Sequence, residues 1–290
     1  MNLKSMLKLV SCSEDGTIKI LDLETFEYSE SLDGNRDIVY GFEKVSNKQL
    51  FTCSRNGNII LWDISSGRLI KKFHNGDTSV YCVRLLSETI FATGSFKTIK
   101  IWSMSDENCV KTLKGHTHWI MALLLLPNGN LVSCSQDKTI KRWNIEQGIC
   151  TQTLYGHTGD VFCLLLLNNG NLASGSKDKT IKIWNLEEGT CISTLIGHSG
   201  SVFGLELKQN DEFISASSDK TLKVWNFEKE ECIRTLVGHE KSVNTVKKYK
   251  ENLLISGSFD TTIKFWDLNN GECIRTLDVH TNGIHNLILL

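Results

Sequence analysis

The chain has 290 residues with 32 Lys and Arg against 33 Asp and Glu, so a formal charge of −1 offers nucleic acid or anionic membrane little to attract. At 40% apolar and 22% charged residues it has the composition of a folded protein, and its length alone suggests two domains. The longest apolar runs, such as residues 120–126, are too short to span a bilayer, and residues 1–10 hold no small-residue cleavage site. The expectation is a soluble intracellular protein, cytoplasmic or nuclear, with no membrane insertion and no direct nucleic-acid binding.

A repeat overrides the two-domain estimate. In chain order its copies are Ser11…Asp15…Leu21, Thr52…Asn56…Trp62, Thr93…Trp102, Ser133…Asp137…Trp143, Ser174…Asp178…Trp184, Ser215…Asp219…Trp225 and Ser256…Asp260…Trp266. Successive copies start 40 or 41 residues apart, so seven periods consume the chain and two independent domains are excluded. Residues 9–13, 18–23 and 26–32 read as second, third and fourth strands with no first strand before them. Complete units follow. The clearest has strands at 161–167, 172–176, 180–186 and 191–195, joined by the turn segments Asn168-Asn-Gly-Asn171, Lys177-Asp-Lys179 and Glu187-Glu-Gly189. Residues 280–290 supply a first strand and nothing more. Four strands every 40–45 residues is the spacing of a β-propeller blade. The expected fold is therefore all-β: a single seven-bladed propeller over residues 1–290, built of four-stranded antiparallel blades. One blade is shared between residues 1–32 and 280–290, and the C-terminal strand pairs with the N-terminal ones to close the ring and remove unpaired edges.

The pairs Gly115-His116, Gly156-His157, Gly197-His198 and Gly238-His239 each place His 27 residues before a Trp. That position is followed by Asp at Asp63 and Asp267 and by Asn at Asn144, Asn185 and Asn226. On these residues the chain resembles the WD-repeat (Trp-Asp repeat) β-propellers over essentially its whole length. The resemblance implies a hydrogen-bonded Asp-His-Ser-Trp tetrad tying the loop before the first strand to the turn after the second. Its members would be His116, Ser133, Asp137 and Trp143; His157, Ser174, Asp178 and Trp184; His198, Ser215, Asp219 and Trp225; and His239, Ser256, Asp260 and Trp266. Each trio of His, Ser and Asp also looks like a nucleophile with its base and orienter. An active site is normally singular, whereas these recur with the fold, so the structural reading prevails and no catalytic residue is assigned.

The ten cysteines follow the repeat too. Cys109, Cys150, Cys191, Cys232 and Cys273 open fourth strands, Cys12, Cys53 and Cys134 share a second-strand position, and Cys82 and Cys163 a first-strand one. Without a Cys-x-x-Cys pair or zinc spacing they read as small buried residues in a reducing compartment. His116-Thr-His118 hints at metal, but His116 already has a tetrad role. No phosphate loop, kinase signature or metalloprotease helix is present. No metal and no cofactor are expected.

Departures from the repeat carry the functional signal. Leu21 replaces Trp, Asn35 and Asn56 replace His and Asp, Gly76 replaces His, and the Ser95-Phe-Lys-Thr98 turn is one residue short and lacks Asp. Neutral decay and a divergent docking arc both account for these. The position after the first-strand Val or Ile reads Tyr40, Tyr81, Met121, Phe162, Phe203, Asn244 and His285. In the family that register lies at the channel mouth, on the face of the Gly-His loops and Asp turns. The same face should carry Trp119, Phe96 and Phe259. Aromatic and Met residues are what interfaces enrich, although rings packed between blades would give the same pattern. Phe162 and Phe203 would sandwich a cationic side chain.

Eleven acids, Glu24, Glu27, Asp106, Glu107, Glu146, Glu187, Glu188, Glu228, Glu230, Glu231 and Glu272, populate the loops between third and fourth strands against Arg68 and Lys229. They form either a solvated rim or a site for a basic partner. A phosphopeptide site would need clustered arginines, and the Gly-His face offers Arg36 and Arg55. Arg142 stands where other copies hold Ile, Leu, Val or Phe and needs a carboxylate or solvent. The expected function is a non-catalytic scaffold or adaptor, a monomeric propeller within a complex, that binds peptide segments or protein partners at Tyr40, Tyr81, Phe96, Trp119, Met121, Phe162, Phe203 and Phe259. The alternatives are a structural subunit of a large assembly, or an enzyme using His285 and Asp160 in the channel.

Overall fold

The computed structural model describes residues 7–32, 37–76, 78–209 and 211–290, leaving aside the side chains of residues 29–31. Every regular element among them is a β-strand, and no helix is long and apolar enough to cross a membrane. The second strands, such as Leu131–Ser135, Leu172–Ser176 and Leu254's strand Leu253–Ser258, are buried at nearly every position. Strands covered on both faces lose the alternation of a half-exposed sheet, which is why they read as unbroken runs of Leu, Ile, Ala, Gly, Ser and Cys.

Four units are simple antiparallel meanders, starting with the strands Val39–Ser46, Val161–Leu166, Val202–Gln209 and Val243–Lys250. A fifth sheet joins the chain ends: Ile284–Leu289 pairs antiparallel with Lys8–Ser13, which continues into Ile18–Asp22 and Tyr28–Ser31. The remaining two units fuse into one seven-stranded sheet, because Cys109–Leu125 runs unbroken as the last strand of one and the first of the next. This departs from seven separate sheets, and the cause is the shortened turn after Gly94. Without the extra residue and Asp, Phe96 joins the strand and pairs across the ladder with Trp119.

The first strands pack side by side in chain order, and Ile284–Leu289 lies against both Val243–Lys250 and Val39–Ser46. Between neighbouring units sit the hydrophobic cores, each holding the repeat Trp of the later unit against strands of the earlier one. Trp184, for example, packs with Val132, Ile140 and Leu154, and Trp225 with Ala173, Ile183 and Leu195. Such a ring buries roughly 150–250 Å² and carries much of the packing energy. Where Leu21 replaces Trp, Phe26 fills the space edge-on to Phe265 at 5.6 Å, with the Arg275 guanidinium 3.8 Å from its ring centre. The units with degenerate tetrads are likewise compensated by rings: Phe51, Phe73, Phe91 and Trp102 form one aromatic core.

The fourth strands are outermost, which corrects one expectation. Cys109, Cys150, Cys191, Cys232 and Cys273 are exposed rather than buried, since neither a further strand nor a neighbouring unit covers them. Cys12, Cys53, Cys134 and Cys163 are buried as expected. Burial pushes the Cys82 and Cys163 thiols up to about 12, so both stay protonated and unreactive.

The register two residues beyond these outer cysteines, and beyond Leu69 where a unit has no such cysteine, ties one unit to the next. Lys71 Nζ donates to the carbonyls of Met104 and Ser105 at 2.8 and 2.7 Å, and Lys111 Nζ to those of Ile145 and Glu146 at 3.0 and 2.6 Å. Arg142 makes a similar tie rather than finding a carboxylate, donating to Leu186 O at 3.0 Å in the neighbouring unit. At Ser193 the side chain is too short, and its buried hydroxyl has no partner.

Two outcomes are expected. Deleting residues 284–290 removes the partner of Lys8–Ser13 and the buried Ile284 and Leu287, so the product should be insoluble or melt far lower; a soluble product with unchanged Tm would refute the pairing. Ser193→Lys should cap the next acidic loop as Lys111 does, adding about 0.5–1 kcal/mol and raising Tm by roughly 1–4 °C in thermal unfolding.

Candidate interaction face around the central cavity

The face is built by four hydrogen-bonded networks of identical geometry. In the first, Trp143 Nε1 donates to Ser133 Oγ at 2.8 Å, Ser133 Oγ lies 2.7 Å from His116 Nε2, and His116 Nδ1 lies 2.7 Å from Asp137 Oδ2. A carboxylate only accepts, so Nδ1 carries the ring proton and Nε2 accepts from the serine hydroxyl. Asp137 also accepts from the amide of Thr117 at 2.9 Å and, through Oδ1, from the amide and hydroxyl of Thr139 at 3.0 and 2.6 Å. The Gly-His loop is thus bolted to the Asp turn. The tetrads at His157, His198 and His239 repeat these contacts within about 0.1 Å.

The glycine of each Gly-His pair serves the same network. A Cβ at Gly197 would stand 3.0 Å from the Trp225 ring, so the loop closes over the indole only where the side chain is absent. At the turn, Lys138, Lys179, Lys220 and Thr261 adopt left-handed backbone, where two other units hold Gly16 and Gly57.

A fifth network, lacking only the indole, spans the chain ends. His280 Nε2 lies 2.8 Å from Ser11 Oγ and its Nδ1 3.0 Å from Asp15 Oδ2. Its signal was legible, since Ser11 and Asp15 hold the repeat positions and His280 precedes the last strand. In two further units the indole bond survives with Thr as acceptor: Trp62 to Thr52 at 2.9 Å and Trp102 to Thr93 at 2.8 Å. Asn35 lies outside the described residues, as does Arg36.

The serine hydroxyls of these trios are held inside the networks rather than presented to solvent. Ser133, Ser174, Ser215 and Ser256 have 0% exposure, and each hydroxyl is spent between indole and imidazole. Burial would raise the Asp137 carboxyl, but hydrogen bonds from His116 and Thr139 outweigh it and hold the group well below the usual carboxylate range; Asp178, Asp219 and Asp260 behave alike. Asp15 falls to about 2: burial opposes this, and the hydroxyl and amide of Thr17 and the amide of Thr281 outweigh it. Burial lowers His116 and His280 more than their aspartates raise them, so both rings are neutral.

Inside this ring of loops lies a cavity of about 510 Å³. All seven residues of the register after the first-strand Val or Ile line it: Tyr40, Tyr81, Met121, Phe162, Phe203, Asn244 and His285, joined by Phe259. Trp119 and Phe96 are not part of that lining but join it through ring contacts. Tyr40 stacks on Tyr81 at 4.4 Å, Tyr81 meets Trp119 at 5.2 Å, and Trp119 meets Phe96 at 4.9 Å. On the other side Tyr40 meets His285 at 5.4 Å and His285 meets Phe259 at 5.6 Å. Six rings therefore form one continuous track. Phe259 is seated over Gly283, where any Cβ would collide with its ring.

One expectation fails. Phe162 and Phe203 lie 4.9 Å apart at 53° and touch each other, so no slot for a cationic side chain opens between them. His285 and Asp160, the candidates for channel chemistry, are not brought together: Asp160 faces Lys177 at 3.3 Å, while His285 sits 3.5 Å from Glu14, its Nε2 without a hydrogen bond and its basicity pushed down by burial to about 4. Arg55 is engaged by Asp37 at 2.9 Å, and His118 packs beside Phe96 rather than joining His116 on a metal.

The lining also includes Gly41, Cys82, Ala122, Cys163, Gly204, Thr245 and Asn286, and the charged Glu43, Arg84 and Lys247. Glu43 accepts from Arg84 at 3.4 Å and from the amide of Leu85 at 3.0 Å, and Lys247 donates to Glu206 at 3.2 Å. Burial raises the Glu43 carboxyl despite Arg84 beside it. Sequence reasoning passed over this belt, although its signal is simple: the residue three beyond Tyr40, Tyr81, Phe203 and Asn244 is Glu43, Arg84, Glu206 and Lys247.

The WD40 family (WD domain, G-beta repeat) matches residues 107–144, 148–185, 189–226 and 230–267, just over half of the chain. The chain belongs to this family. This WD40 protein is 31% identical over 144 residues to the nuclear distribution protein PAC1 of Arthroderma benhamiae, a match covering 44% of the chain and 31% of that protein. It is 30% identical over 132 residues to apoptotic protease-activating factor 1 of Rattus norvegicus, covering 44% of the chain and 10% of that protein. With the U3 small nucleolar RNA-associated protein 15 homolog of Gallus gallus it shares 29% identity over 128 residues, 43% of the chain and 24% of that protein. These matches span less than a third of each relative's length.

Removing one imidazole tests the networks. His198→Ala leaves Ser215 and Asp219 without their partner and should cost about 1–3 kcal/mol, read as a fall in Tm with the fold retained. The pH dependence has one sign. His116 and His280 are lowered from 6.5, so their contribution is present above pH 6.5 and is lost as pH falls below it. The aspartates are lowered from 3.8, so theirs is lost only below about pH 4. Unfolding free energy should decline from pH 6.5 downward and steepen below 4; a flat profile between pH 7 and 3 would refute neutral buried imidazoles.

Proposed function

We propose that the chain is one seven-bladed ring over residues 1–290, closed by the pairing of Ile284–Leu289 with Lys8–Ser13, and that it works as a non-catalytic scaffold. It binds a peptide segment or protein partner on the face of the Gly-His loops and Asp turns, at Tyr40, Tyr81, Phe96, Trp119, Met121, Phe162, Phe203 and Phe259. The observation that carries this reading is the continuous ring track from Phe259 through Tyr40 and Tyr81 to Trp119 and Phe96, at the mouth of a 510 Å³ cavity. Large half-buried aromatics on a rigid frame are what binding hot spots use, because they bring apolar area without much rotamer entropy to lose.

Membership of the WD40 family supports an interaction role in general. The relatives' names, nuclear distribution protein and small nucleolar RNA-associated protein, support an intracellular site of action in cytoplasm or nucleus. The partner is taken to be protein rather than nucleic acid, since the chain's net charge is −1 and Arg55, on this face, is already paired.

The Tyr81→Ala/Phe203→Ala double variant should fold normally and lose at least tenfold in partner yield in crosslinking with mass spectrometry. An unchanged partner set would sink the proposed face.

A further inference from the structure

Every unit ends in an outer strand whose backbone groups on one side have no neighbouring strand. Natural sheets guard such edges with charge, proline or irregularity. All of these outer strands but Tyr28–Ser31 share one device: a register shift beside the repeat Trp, as between Ile183 and Trp184. They differ in charge. Arg68–His74 carries Arg68, Lys71 and Lys72, Glu231–Val237 carries Glu231 and Arg234, and Cys273–Asp278 carries Arg275 and Asp278. Ile149–Leu154 and Thr190–Leu195 carry none, and in the second, reading Thr-Cys-Ile-Ser-Thr-Leu, the short Ser193 stands where other units place Lys71, Lys111, Gln152, Arg234 or Arg275.

This strand is also sticky. Ile192 is 50% exposed and Ile196, just past its end, 79%. Lys182, opposite Thr194 in the neighbouring strand of the same sheet, has its ammonium turned onto Thr194 Oγ1 at 2.8 Å. At the start of the strand stand two exposed carboxylates, Glu187 and Glu188. The outer edge is therefore uncharged along its length, with Ile192 and Ile196 exposed on it, and negative at one end.

We propose that the edge of Thr190–Leu195 is a second docking site, which takes an extended segment of a partner protein as an added antiparallel strand. Backbone hydrogen bonds supply affinity and the exposed Ile192 and Ile196 grip alternate side chains. An antiparallel segment ends opposite the beginning of this strand, so its C-terminal residues face Glu187 and Glu188. The chemistry that fits is a β-branched, uncharged stretch of about six residues closed by Lys or Arg. This site lies on the outer rim and is independent of the aromatic mouth.

The probe is a fluorescein-labelled peptide of alternating valine and threonine ending in two arginines, titrated by anisotropy into the full chain. Binding should weaken at least tenfold in Ile192→Lys/Ile196→Lys with Tm unchanged. It should weaken severalfold, with a shallower salt dependence, in Glu187→Gln/Glu188→Gln. The same peptide N-methylated at alternate residues should not bind, because it cannot complete the ladder. Equal binding of the methylated peptide would overturn strand addition, as would wild-type affinity in the lysine variant or no binding by wild type. A wild-type dimer that the lysine variant dissolves, with no peptide bound, would instead assign the edge to a second copy of the chain and overturn the proposal.

Discussion

An imidazole buried between strands survives only if both of its nitrogens are satisfied, and that requirement organises this molecule. His116 meets it with a carboxylate on one side and a serine hydroxyl, itself held by an indole, on the other. The chain of bonds runs from the core Trp out to the turn that faces solvent. Repeated at His157, His198 and His239, and without the indole at His280, it sets the height and tilt of successive Gly-His loops. The residue after the first-strand Val or Ile is thereby delivered to the cavity mouth in one unit after another.

Where the network is incomplete, packing takes its place. The Phe51, Phe73, Phe91 and Trp102 cluster and the Phe26–Phe265 contact stand in the units that lack His, Asp or Trp. Those same units hold four of the six rings of the mouth, His285, Tyr40, Tyr81 and Phe96, while Trp119 and Phe259 come from units with complete networks. The missing turn residue before Thr98 is what lets Phe96 reach Trp119 and merges two units into one sheet. At Phe96 a local loss of polar structure and a local gain of exposed aromatic surface thus have one origin.

Much of the fold was legible from residue spacing alone. The period of 41, the turn residues and the absent first strand at the N-terminus foretold the pairing of Ile284–Leu289 with Lys8–Ser13. The mouth register could be read off as well, because a residue's position in a repeat fixes which way it points. Cys109 and its four counterparts were misread, since a composition rule about cysteine burial ignored that their strand is the last in its sheet. The belt of Glu43, Arg84, Glu206 and Lys247 went unseen because its members are charged differently in each copy, and pairing across units has no signature within one.

The sequence by itself determined the repeat, the strand order, the tetrads and the identity of the residues around the mouth, all of which depend on position along one unit. Only the tertiary structure decided what happens between units. It brought Tyr40 onto Tyr81, pressed Phe162 against Phe203, turned Arg142 to the carbonyl of Leu186 and left Ser193 without a partner. Such contacts depend on the distance and angle between neighbouring sheets, which follow from the packing of whole side chains and from no single segment of the chain.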